Sequence, residues 1–287
     1  MSYLLAAWLA SIAYGFEVIF GKLTSKYAID NPWLFNFAWS LFIIFLTLPV
    51  ALANRVGLPT DWASVWWATI FYALSNLFYI LALSKLEVSV ISPLFSFRTV
   101  FQVLFAVLLL GEILTVWQLV LIAVIVAGAV IVNINEKGSF KAFFSFRVLL
   151  TIVAMLAIAL YGVFVKKAMA LNRYWEVVLW VEILAQIIFL MTIPFFYREV
   201  RKTKLSKYSG VLAMAVAGCL GILASNYAYK FNVAISGTIT ALPFSFIFAI
   251  LLSLIAPKLL EKHTAKIYLV RIAATAVMIW AGILLSR

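Results

Sequence analysis

The chain has little of what soluble chemistry is built from. It holds one cysteine, Cys219, and one histidine, His263. A single cysteine excludes an internal disulfide and any multi-cysteine metal site. The lone histidine lies among lysines in a predicted loop, where solvation is its expected fate. Charge is scarce: 11% of the 287 residues are charged, against about 25% in an ordinary soluble domain. Acidic residues are the scarcest, 10 against 22 lysines and arginines, for a net charge of +12. Catalytic signatures are missing too. There is no His-Glu-x-x-His, no glycine-rich phosphate loop and no cluster of metal ligands. The expectation is a protein that is not an enzyme and needs no metal or cofactor. Without a nucleotide motif, energy for any work would come from ion or solute gradients. The opening Met1-Ser2-Tyr3-Leu4 lacks the basic region of a signal peptide, so the first apolar run is expected to stay as a helix.

What the chain does have is long apolar runs. Hydrophobic residues make up 67% of it, where a soluble domain has about 45–50%. That excludes a soluble globular protein, a disordered chain and a disulfide scaffold. A membrane helix takes roughly 20 apolar residues. Charged or Pro/Asn breaks divide the sequence into ten such runs, at 3–24, 33–53, 62–84, 88–110, 114–133, 147–169, 174–196, 209–230, 235–256 and 266–285. The runs are about twice as long as a barrel strand and do not alternate polar with apolar residues. The predicted fold class is therefore all-α integral membrane, with ten transmembrane helices. Trp33, Trp62, Trp66, Trp67, Trp117, Trp175 and Trp280 fall near predicted helix ends, as an interfacial belt requires. The positive charge sits mostly in short loops. Its expected partners are membrane lipids with anionic headgroups, not nucleic acid.

The sequence repeats itself. At one offset of 150 residues, Ser75-Asn76 falls on Ser225-Asn226, Tyr79 on Tyr229, Pro93 on Pro243 and Leu104 on Leu254. Tyr14-Gly15 matches Tyr161-Gly162 at a slightly smaller shift, and Ala127-Gly128 matches Ala281-Gly282. The halves divide at 1–137 and 138–287, five helices each. An odd number makes the second half enter from the opposite side, so the two form inverted five-helix repeats. Such pairs usually build an alternating-access carrier with its site near the midplane.

With these features the chain resembles the drug/metabolite transporter superfamily, in particular its EamA-like ten-helix carriers. The resemblance rests on the two halves, the prolines of the fourth and ninth helices, and Leu110-Gly111-Glu112 closing the fourth. In the second half the last motif is reduced to Leu260-Glu261, without the glycine. The resemblance implies a central cavity lined mainly by helices one, three, four, six, eight and nine. It also implies an inner or plasma membrane protein with cytoplasmic termini. A narrower likeness lies in Ala13-Tyr14-Gly15-Phe16-Glu17-Val18-Ile19, which is similar to a segment of small multidrug resistance transporters. There the membrane carboxylate binds either a proton or a cationic substrate, and the resemblance carries that role to Glu17.

The residues themselves support two principal candidates. Glu17 has Ala10, Ala13, Tyr14 and Gly21 as helical neighbours, small enough to admit another helix or a ligand. A carboxylate in hydrocarbon must pair, protonate or face water. Arg98 sits mid-span in the fourth helix, five residues after Pro93, and stays charged at any relevant pH. Facing lipid would cost at least about 2.5–3.5 kcal/mol. It should therefore face inward, with Gln102 one turn along, and its fork can grip a carboxylate or phosphate. For both residues the alternative is a fixed ion pair, Arg98 with Glu17 or Glu182. Asn76 and Tyr79 share a face of the third helix with Tyr72. Asn226 and Tyr229 repeat the pattern in the eighth, where they either flank the cavity or glue helices together. Tyr14 and Tyr161 are further candidate lining residues. Pro93 and Pro243 are expected to bend their helices. Glu182 with Gln186 is expected to be a buried polar contact. Arg271, Lys166 and Lys167 are expected to snorkel from helix ends.

The expected function is a secondary-active carrier that moves a small polar metabolite by alternating access, with export favoured. An amino acid or similar zwitterion would satisfy both Arg98 and Glu17. Its partners would be that solute, lipids, and a coupling proton or exchanged solute, and the chain itself could form homo-oligomers. Two other readings are proton-coupled export of an organic cation, where Glu17 alone matters, and flipping of an anionic lipid-linked headgroup. One conflict stands within the sequence. The loops after helices one, three, five, seven and nine carry about 14 basic residues against about six opposite. The charge rule alone would put that side in the cytoplasm and the termini outside.

Overall fold

A computed structural model of the chain describes residues 2–85, 88–132, 146–255 and 265–287. The described residues are all-helical, without strands. In chain order they form α1 (Tyr3–Tyr27), α2 (Pro32–Ala53), α3 (Trp62–Lys85), α4 (Val88–Leu110), α5 (Val116–Val132) and α6 (Phe146–Leu171). There follow α7 (Tyr174–Leu190), the short α8 (Tyr197–Lys202), α9 (Tyr208–Tyr229), α10 (Val233–Thr240), α11 (Phe244–Ile255) and α12 (Ala265–Leu285). Six stretches among the described residues are long and apolar enough to cross a membrane: Tyr3–Tyr27, Pro32–Ala53, Trp62–Ala82, Leu149–Leu171, Leu205–Tyr229 and Val233–Ser253. Shorter apolar helical stretches lie at Arg98–Leu110, Val116–Ile131 and Leu269–Leu285. The chain is thus a multi-pass helical membrane protein. His263, Leu260-Glu261 and the break at Asn133–Gly138 lie outside the described residues.

Helix ends follow local chemistry. Asn31 caps α2, its Oδ1 accepting from Trp33 N at 2.9 Å and Leu34 N at 3.2 Å, with Pro32 at the first helical position. Asp61 opens α3 by accepting from Ser64 N at 3.2 Å. The Ser64 donors hold the Asp61 carboxyl below its ordinary range. Gly111 ends α4 with φ +65°, a conformation that favours glycine.

The predicted ninth helix is corrected. It is not one bent helix over 235–256 but two, α10 and α11, separated at Ala241-Leu242-Pro243. Proline lacks an N–H, and its ring collides with the carbonyl a turn earlier. The residue before it is also pushed out of helical geometry. Thr238 and Thr240 assist by turning their hydroxyls onto the backbone, to Ala234 O at 2.8 Å and Gly237 O at 3.0 Å. By contrast α4 runs unbroken past Pro93, whose side chain lies outside the described ones. The loop after α7 carries the short α8.

Contacts sort the loops into two sides. On the terminal side, Trp8 Nε1 donates to Ser286 Oγ at 3.0 Å. There too Thr60 N and Asp61 N donate to Asn172 Oδ1 at 2.8 and 2.9 Å. On the far side, Asn31 Nδ2 donates to Phe195 O at 3.1 Å, and Trp33 stacks on Phe195. The far side also holds Arg198, Arg201, Lys202, Lys204 and Lys207.

The packing exchanges one half for the other. α1 packs along α9 as α6 packs along α3, and α2 meets α9 as α7 meets α3. α4 lies on α6 as α10 and α11 lie on α1. Three further pairs, α2 with α7, α4 with α10 and α5 with α12, map onto themselves. It is the pattern that a two-fold relation between like-folded halves would give. Small residues allow the close approaches: Ala6, Ala7, Ala10 and Ala13 are buried on α1, and a Cβ on Gly221 of α9 would fall 2.6 Å from the Tyr14 ring.

Candidate functional site: a buried polar cavity

Between α1, α3, α4 and α6, with one wall each from α2 and α9, lies a cavity of about 600 Å³, part of it continuous with the surroundings. Its polar lining comes from Tyr14 and Glu17 on α1, Ser75, Asn76 and Tyr79 on α3, and Arg98 on α4. Tyr72, Trp39 and Tyr161 add aromatic faces; Val18, Ala154, Met155, Ile158 and Ile222 fill in apolar wall. Tyr14, Tyr72 and Arg98 fall near the middle of their helices. Glu17, Trp39, Asn76 and Tyr79 fall toward the far side, so the cavity runs from the midplane in that direction. A second space of about 310 Å³ lies beside the break between α10 and α11, lined by Ser11, Tyr14, Arg98, Thr240 and Ser245 among others. Arg98 and Tyr14 stand between the two.

Arg98 is 2% exposed, and its guanidinium is held by neutral groups. Nε donates to Gln102 Oε1 at 3.2 Å, and Nη2 donates to Tyr229 OH and, at 3.2 Å, to Thr240 Oγ1. The Tyr14 ring lies 6.0 Å from its carbon, a cation–π distance. Among the described residues no ion pair joins Arg98 to a carboxylate; the pairs found are Lys166–Glu112 and Arg173–Glu176. The expected alternative of a fixed pair with Glu17 or Glu182 is therefore not what the structure holds. Gln102 is itself wedged. A Cβ on Gly162 of α6 would come within 2.6 Å of its Nε2, and Gly237 of α10 presses on the same amide.

Glu17 is 7% exposed and borders the cavity without an ion pair among the described residues. Gly218 of α9 makes room for it: a Cβ there would lie 3.0 Å from Glu17 Oε1. Glu17 and Arg98 are near enough to feel each other's field. Two hydrogen bonds lie toward the terminal side of the cavity. Tyr14 OH and Ser225 Oγ are 2.7 Å apart, and Tyr161 OH lies 3.0 Å from Asn226 Oδ1.

The candidates thus separate into two groups. Glu17, Arg98, Asn76, Tyr79, Tyr14 and Tyr161 line the cavity. Gln102, Asn226 and Tyr229 stand behind it, Gln102 and Tyr229 on Arg98 and Asn226 on Tyr161. Pro243 lines the smaller space at the helix break. Sequence reasoning passed over Ser75, Trp39, Ser225 and Thr240; the first and third were visible as a repeat pair, the other two carried no signal. Two expectations about basic residues are corrected. Arg271 does not snorkel; it is 2% exposed, with the Phe246 ring 5.9 Å away. Lys166 is pinned, donating to Glu112 Oε1 at 2.7 Å and Phe231 O at 2.9 Å. Among the described residues no group of His, Cys, Asp and Glu could hold a metal ion.

Chemically, the cavity places the Arg98 guanidinium and the Glu17 carboxyl group on a wall that is otherwise mostly aromatic and apolar. Comparison with known proteins agrees with a transport fold. Residues 1–134 match the EamA-like transporter family, a branch of the drug/metabolite transporter superfamily. No curated protein matches in sequence. A solved crystal structure is similar over 98% of this chain and 95% of its own, with a TM-score of 0.72 at 15% identity. At that identity the likeness speaks for the fold alone.

Proposed function

We propose, for a chain that belongs to the EamA-like transporter family through its residues 1–134, secondary-active transport of a small zwitterion such as an amino acid, in the direction of export. The observation that carries this reading is the Arg98 guanidinium: charged, mid-membrane, without a carboxylate partner among the described residues, on a cavity wall shared with Glu17. A substrate carboxylate would complete Arg98, and a substrate amine would meet Glu17. Hydrogen bonds to charged groups are worth about 1.5–3 kcal/mol, so each contact carries roughly 10- to 100-fold in transport. In proteoliposomes given a panel of radiolabelled amino acids, Arg98→Ala and Glu17→Gln should each lose transport by that order. Two fully active variants would remove both residues from the site.

A second reading has its own support. Tyr14, Trp39, Tyr72 and Tyr79 line the same cavity as Glu17 and offer aromatic faces suited to an organic cation. On that reading Arg98→Ala keeps transport of a quaternary ammonium probe, while Glu17→Gln abolishes it. For orientation we take cytoplasmic termini, as the family resemblance implies, which sets the cavity in the outer half of the membrane.

A further inference from the structure

A second carboxylate lies in the membrane, away from the cavity. Glu182, in the middle of α7, is 2% exposed. Thr47 of α2 donates to its Oε1 at a long 3.4 Å, and its Oε2 has no hydrogen-bond partner. Thr47 also meets Cys219 Sγ of α9 at 3.5 Å. The groups that face Glu182 can be named helix by helix. α2 offers Thr47 and carries no charged residue; α3 offers Tyr72, α6 Tyr161, and α9 Cys219. Its own helix adds Tyr174. None is a cation, and no ion pair reaches Glu182 among the described residues. An ionised carboxylate so placed would pay the full cost of an unpaired charge in hydrocarbon. A neutral acid, its proton on the unpartnered oxygen, would avoid that cost.

Two features connect this acid to the transport site. Tyr72 and Tyr161, whose rings stand 5.2 Å apart, both line the cavity and both lie within electrostatic reach of Glu182. In addition, α9 separates the two carboxylates. Gly218 makes room for Glu17, and the next residue, Cys219, shares Thr47 with Glu182. Adjacent residues of α9 thus touch Glu17 directly and Glu182 through Thr47.

We propose that Glu182 binds and releases the proton that drives transport, which leaves Glu17 free to hold the substrate amine. The step balances simply: a proton from cavity water binds Glu182 Oε2, and the same proton returns to water once α9 has moved and the opposite side is open. The assignment rests on the zwitterion reading above for what Glu17 does, but not for whether Glu182 takes up a proton.

The test therefore has two arms on the full-length protein. In the first, infrared spectra of the purified protein are followed during a pH titration. A protonated-carboxyl band should titrate in Glu17→Gln and be lost when Glu182→Gln is added to that variant. In the second, proteoliposomes holding a pH-sensitive dye are given the twenty ordinary amino acids. Glu182→Gln should lose amino-acid-driven proton flux at least tenfold, while exchange of one labelled amino acid for itself at equal pH stays within about twofold of wild type. An unchanged titrating band in the double variant, or unchanged proton flux in Glu182→Gln, overturns the proposal. If the wild type moves no amino acid at all, the zwitterion reading falls, and the infrared arm still decides Glu182. Should Glu182→Gln not fold, Thr47→Val must move the midpoint of the titrating band; a midpoint unaltered there also overturns it.

Discussion

Arg98 is an expensive side chain to keep in the membrane interior, and its surroundings show how that cost is met. An arginine at the bilayer centre costs about 2.5–3.5 kcal/mol even on the mildest scales. Here Gln102, Tyr229 and Thr240 supply neutral acceptors on Nε and Nη2, which orient the fork without cancelling its charge. The orientation depends on Gln102, and Gln102 depends on the glycines of α6 and α10 that flank it. Adding a methyl at Gly162 would drive into the amide. Overpacking of this kind costs about 1–3 kcal/mol. Gly162→Ala should therefore lower the unfolding midpoint in a thermal-shift assay and weaken transport in parallel with Gln102→Ala. A Gly162→Ala protein that transports normally would mean that Gln102 does not position Arg98. The charges themselves were legible in the sequence, because an Arg or Glu within an apolar run announces its cost. The seat of Gln102 was not, since it arises where three helices far apart in the chain meet.

The same division appears among the elements. Helix existence was readable from apolar runs and their breaks. The interruption of the ninth span was not: Pro93 and Pro243 look alike in the sequence, yet one helix runs through and the other divides. Division leaves α10 as eight residues, too short to stand alone, and it is fastened at its start. Asn232 Oδ1 accepts from Ile235 N at 2.7 Å. The carboxylate of Glu112, from the end of the other half's α4, accepts from Val233 N at 2.7 Å and Ala234 N at 2.9 Å. Negative charge there also suits the helix dipole. Thus the Gly-Glu ending, read in the sequence only as a family mark, joins the two halves on the terminal side. The ion pair with Lys166, which is partly exposed, adds less, because solvent screens it. Glu112→Ala should cost about 1–2 kcal/mol, the value of a lost cap, and Lys166→Met about 0–1 kcal/mol. Denaturation in detergent checks the order; equal losses would show that the ion pair, not the cap, is what holds α10.

At the scale of the whole molecule, a cavity that runs from the midplane toward the far side, with hydrogen bonds on its terminal side, is what one state of the proposed carrier would look like. The interchange of helix pairs between the halves makes a second state natural, in which the two sides trade places. For that to happen the bonds of Tyr14 with Ser225 and of Tyr161 with Asn226 must part. Their energy is no obstacle, since each contributes only about 0.5–1.5 kcal/mol net. The only native thiol, Cys219, is buried, and replacing it with serine gives a background for single-cysteine labelling. In intact cells, a membrane-impermeant maleimide added outside should label Tyr79→Cys, since Tyr79 lies toward the far side and the termini are taken as cytoplasmic. Ser225→Cys should resist the reagent at rest from either face. Added to inside-out vesicles during turnover with amino acids, the reagent should reach Ser225→Cys at least severalfold faster than without them. Labelling of Tyr79→Cys only from inside-out vesicles would reverse the orientation in favour of the loop charges. If Ser225→Cys stays unreactive under turnover, in a protein that demonstrably transports, the terminal side never opens. The solute would then have to leave by the face through which it entered, and alternation between the halves could not be the mechanism.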